Sequence, residues 1–133
     1  MRKIIFLVVI VVLLLGIFYS CQSIEYEFRQ PLDQVQRVFL IVERNDNEER
    51  TECPVDILMD IKALPCYDYW NDPSHTIGDK YVLIEYADGS TEVISARANY
   101  YERDGKIRYG RVYFDTGDFF AVFKKYQTGK RPN

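Results

Sequence analysis

An unbroken apolar run, IIFLVVIVVLLLGIFY at residues 4 to 19, divides this chain before any fold is considered. Such a run cannot remain in water as an exposed N-terminus. Arg2 and Lys3 precede it, and no Lys or Arg follows until Arg29. That asymmetry sets the start of the segment in the cytoplasm and predicts that everything from Cys21 onward is exported. At about 1.5 Å per residue the run rises roughly 24 Å, against about 30 Å of bilayer hydrocarbon. It therefore suits the apolar core of a secretory signal.

Phe18-Tyr19-Ser20-Cys21 resembles the cleavage box of bacterial lipoproteins, where a small residue precedes a cysteine that takes a diacylglycerol thioether. Cys21 is accordingly the candidate lipidation site. The alternative is an uncleaved, slightly tilted anchor, since tilt and snorkelling absorb small length mismatches. Both forms place the chain on the outer, extracytoplasmic face of the cell membrane.

The expected organisation is a signal peptide or anchor at 1–20, a polar spacer at 21–34, one globular domain at 35–127 and a frayed tail at 128–133. Without Arg2 and Lys3, the 17 Lys and Arg fall to 15 against 20 Asp and Glu, a net charge of −5. An acidic domain lacks the basic face that phosphate neutralisation needs, which argues against nucleic acid as partner. Of the three cysteines, Cys53 and Cys66 flank a predicted helix that would hold them more than about 10 Å apart, beyond disulfide reach. Two buried free thiols are expected.

Val35–Glu43 reads as a central strand covered on both faces, followed by an Asn45-Asp46-Asn47 turn and a returning strand to Cys53. Ile57, Leu58, Ile61 and Leu64 recur at helical spacing between Pro54 and the stop at Pro65. A strand at 66–70 follows, then a loop ending at Asp79. Asp88-Gly89 and Asp104-Gly105 are hairpin signals, the second joining 99–103 to a long strand at 106–114. Asp115 caps a last helix whose core face is Phe119, Val122, Phe123 and Tyr126. The order strand, turn, strand, helix thus occurs twice. The predicted class is α+β: an antiparallel sheet of five to seven strands with two helices on one face.

Chemistry-bearing patterns are weak. Phe114-Asp115-Thr116-Gly117 matches the Asp-Thr-Gly of aspartic proteases, but that site needs two such aspartates, and the helix cap explains Asp115. Asp68, Asp72, His75 and Asp79 surround one loop without the spacing of a calcium loop. His75 is the sole histidine, and there is no second histidine or metal-ligand spacing to imply a metal or another cofactor.

Aromatic density is the remaining signal, with 11 tyrosines. On one long alternating strand, Tyr109, Arg111 and Tyr113 would share a face. With Trp70 they form the candidate partner-binding surface, since Tyr, Trp and Arg anchor interfaces. Cross-strand pairing on a half-solvated sheet is the competing account.

The runs Cys66–Pro73 and Tyr81–Gly89, then Ile94-Ser95, Tyr100-Tyr101 and Tyr113-Phe114-Asp115, resemble small exported, lipoprotein-like proteins of clostridial-type Gram-positive bacteria. The resemblance implies a compartment and a compact α+β shape, and carries over no catalytic residue. The function expected is a membrane-tethered binding or interaction module, of accessory, inhibitor or immunity type, acting as a monomer on an extracytoplasmic protein or wall partner. A wall-acting hydrolase with a carboxylate near His75, or a structural envelope lipoprotein, are the alternatives.

Overall fold

The computed structural model describes residues 1–20 and 23–128. Cys21 and the tail from residue 129 lie outside the described residues. The first helix, α1 (Arg2–Ser20), carries exposed aliphatic side chains along residues 4–15. Among the described residues no helix is long and apolar enough to cross a membrane. The uncleaved apolar anchor, the alternative for residues 1–20, is therefore not supported. The physical reason is length, because the apolar run falls several ångström short of the hydrocarbon core.

After a single 3-10 turn at Leu32–Gln34 come β1 (Val35–Arg44), β2 (Asn47–Cys53), α2 (Asp56–Ala63), β3 (Cys66–Asp68), β4 (Lys80–Tyr86) and β5 (Thr91–Ile94). They are followed by β6 (Asn99–Arg103), β7 (Lys106–Tyr109), β8 (Val112–Phe114) and α3 (Thr116–Thr128). Six strands form one antiparallel sheet in the order β2-β1-β4-β5-β6-β7, and β3 pairs with β8 in a second, two-stranded sheet. The α+β class holds.

Local chemistry sets the turns. Asn45 and Asp46 (φ 49° and 65°), like Asp104 and Gly105 (φ 53° and 76°), adopt the left-handed pair that two-residue hairpins require. The Asp88-Gly89 hairpin closes instead on a three-residue loop, with the Tyr86 amide donating to Ser90 O at 2.9 Å.

One face of the large sheet carries Val38, Leu40, Val42, Val82, Ile84, Tyr86 and Ile94, and packs on Ile57, Leu58 and Ile61 of α2 and Phe119 and Phe123 of α3. The opposite face is not bare. Phe39 lies beneath the guanidinium groups of Arg37 and Arg50, at 5.6 and 5.1 Å from its ring centre, and Ile41 is fully buried. Strand β1 is thus covered on both sides, by helices on one and by long side chains on the other. Tyr126 and Lys125 of α3 both donate to Asp60 Oδ2 of α2, at 2.7 and 2.9 Å, which locks the helices together.

Two expectations change. The strand expected at 106–114 breaks at Gly110, where an added Cβ would lie 1.9 Å from Asn99 Oδ1. Gly110 N–H donates to Asn99 O, and the buried Asn99 amide donates to Val112 O at 3.0 Å. These bonds draw the chain off β7 and deliver β8 to β3, whose strand ends at Asp68 and not at residue 70. The stretch expected as a spacer also lies on the fold: Ile24 bridges Cys66, and Tyr26 belongs to the core.

Candidate functional site

The break at Gly110 redistributes the expected binding residues. Tyr109 stays on the large sheet, opposite Tyr100 with ring centres 5.5 Å apart, and His75 stacks on it at 3.9 Å and 13°. Arg111 and Tyr113 pass to the second sheet. The single Tyr109-Arg111-Tyr113 face is therefore corrected to two neighbouring surfaces, because a strand that changes sheets cannot keep its alternation.

The second surface is the richer. Tyr113 pairs across the strands with Tyr67, ring centres 5.7 Å apart, and lies 4.8 Å from Tyr69. The Arg97 guanidinium sits over Tyr113 at 5.2 Å, within cation–π range. Tyr69 is fixed at both ends, its amide donating to Arg111 O at 2.9 Å and its hydroxyl to Arg97 O. Arg111 in turn donates to Asn71 O at 3.3 Å. These bonds stiffen the chain on both sides of Trp70, which is 81 % exposed. A rigidly presented Trp with flanking Tyr and Arg is the composition of an interface anchor.

A second polar centre was missed by the sequence reading. Glu92 is 0 % exposed, and it accepts the Tyr26 hydroxyl on Oε2 (2.5 Å), with the Tyr86 hydroxyl (2.5 Å) and the Arg29 amide (2.9 Å) on Oε1. Burial, and then the Glu92 carboxylate itself, push the phenols of Tyr26 and Tyr86 well above the usual tyrosine range. Beside this centre, Gln30 donates to Asp88, Ser90 and Tyr101. The arrangement satisfies a buried carboxylate and straps residues 26–30 to the sheet. One signal was available, since Glu92 lies two positions before the core residue Ile94 on the same strand face.

Cys53 and Cys66 are both buried and are not joined to each other by a disulfide, as expected. The Cys66 thiol donates to Ile24 O at 3.2 Å, and burial pushes it up to about 11. Among the described residues no group of three His, Cys, Asp or Glu side chains is placed to hold a metal ion. Asp72 and Asp79 line a cleft of about 440 Å³ between the 68–79 loop and the start of α3. His75, stacked on Tyr109, is not among the residues that line that cleft. Known protein families, curated proteins and solved structures were compared with the chain, and none matches.

Proposed function

We propose that this protein is an extracytoplasmic binding module, held at the outer face of the cell membrane by lipid on Cys21, which acts by capturing a protein or wall partner and not by turnover. One observation carries the reading: Trp70 stands 81 % exposed in a frame of Tyr69, Tyr113, Arg97 and Arg111 whose positions are fixed by hydrogen bonds and ring contacts. Trp, Tyr and Arg are the side chains enriched among interface anchors. The likeness to small exported lipoproteins supports the address, and the Arg2-Lys3 flank with Ser20-Cys21 supports the tether.

Affinity capture from the envelope of the producing organism tests the reading. Trp70→Ala with Arg111→Ala should weaken retention of the partner by about 2 kcal/mol, some thirtyfold, as for interface anchors. Thermal stability should fall little, because both side chains are exposed. Undiminished capture by the folded double variant would place the binding surface elsewhere. Turnover of wall material, abolished by Asp72→Ala, would establish the hydrolase.

A further inference from the structure

The cleft beside α3 has an unusual balance of charge. Its loop side presents Asp72 and Asp79, and its sheet side presents Lys80 and Arg97. Opposite charges that line one cleft can neutralise one another, yet none of these four side chains takes part in an ion pair among the described residues. The two cations rest on rings instead, Lys80 Nζ 5.6 Å from the centre of Phe120 and the Arg97 guanidinium over Tyr113. Different elements hold the groups apart. The acids belong to the 69–79 loop, Lys80 opens β4, and Arg97 lies on the β5–β6 connection. The loop's path is set by Gly78 at φ +85° and by the His75–Tyr109 stack.

Such a cleft offers an anion site and a cation site together, with the Phe120 and Tyr69 rings as apolar walls. Its volume lies within the range of about 300–1,000 Å³ common to small-ligand clefts. We infer that it is a binding site for a short zwitterion, a free amino acid or dipeptide. The carboxylate would go to Arg97 and Lys80, and the ammonium to Asp72 and Asp79. Arg97 suits the first role because its fork matches a carboxylate in two parallel hydrogen bonds. A singly charged ligand would meet one matching pair and one opposing pair, so the charge arrangement selects the zwitterion. This site shares Tyr69 and Arg97 with the frame of the Trp70 surface, but Trp70 itself does not line it.

The test is NMR titration of the isotope-labelled full chain in detergent micelles with alanyl-alanine, N-acetyl-alanyl-alanine and alanyl-alanine amide. The free dipeptide should shift the amides of Thr76, Ile77, Arg97 and Phe120. Capping either end should weaken binding at least about tenfold, because one pair of charges is then left unanswered. Arg97→Gln with Lys80→Gln should erase the difference between free acid and amide. Asp72→Asn with Asp79→Asn should erase the difference between free and acetylated amine. Unchanged melting temperatures verify that the variants fold, and Trp70→Ala should leave every shift in place. No shift up to the solubility of the peptide, or equal binding of all three probes, would overturn the inference.

Discussion

Removing the Tyr26 hydroxyl tests whether the N-proximal segment is part of the fold. Tyr26 is 3 % exposed, and among the described residues its hydroxyl has one partner, Glu92 Oε2. In Tyr26→Phe the carboxylate keeps the Tyr86 hydroxyl and the Arg29 amide, so the loss is one hydrogen bond to a charged acceptor, about 1.5–3 kcal/mol. Glu92→Ala is harsher, because it orphans two buried hydroxyls at about 1–3 kcal/mol each. The order should therefore be wild type, Tyr26→Phe, Glu92→Ala, read by urea unfolding of the full chain in mild non-ionic detergent.

Alkaline pH gives an independent reading of the same contacts. Tyr26 and Tyr86 are both raised above the ordinary value of 10.0, by burial first and by Glu92 second. Below pH 10 the phenols stay protonated in folded and unfolded chains, and their contribution to stability is fully present. Above it the unfolded chain releases protons that the fold retains. Stability should then fall by up to about 1.4 kcal/mol per pH unit for each tyrosine. Tyr26→Phe should flatten that slope by about one tyrosine's share. A cost below about 0.5 kcal/mol with an unchanged slope would refute the reasoning, since the hydroxyl would then be wet and residues 24–30 only loosely laid on the sheet.

Three further outcomes follow from the packing. Leu58→Ala, at a fully buried site of α2, should cost about 2–5 kcal/mol in denaturant unfolding, and a loss under about 1 kcal/mol would mean that this face does not pack on the sheet. Gly110→Ala should destabilise by about 1–3 kcal/mol, because the new methyl group meets the Asn99 amide that Val112 O holds in place. Cys66, buried and with its thiol pushed up to about 11, should resist alkylation in the native protein and react only when urea unfolds the chain.

Hairpins and helix faces were legible because they depend on local chemistry. Asp104-Gly105 can supply paired positive φ, Asp115 can cap, and Ile57, Leu58 and Ile61 lie on one helical stripe whatever surrounds them. What was not legible depends on distant partners. Gly110 looks like an ordinary residue inside an alternating strand until Asn99, eleven positions earlier, is seen to occupy the space of its side chain. The same applies to Tyr26 and Glu92, which are 66 residues apart. A polar stretch with one proline gave no sign that its tyrosine would enter the core. The candidate surface was legible only in part for this reason: Trp70, Arg111 and Tyr113 come together, while Tyr69 and Arg97, which frame them, required the second sheet.

The most direct measurement is photo-crosslinking in the producing cell, with a photoreactive phenylalanine placed at Trp70 or at Glu49 on β2, an edge strand of the large sheet. The account predicts a discrete crosslinked species from position 70, exported with the protein and absent from position 49. A crosslink from position 49 alone, or none from position 70 in a protein that reaches the envelope, would contradict it.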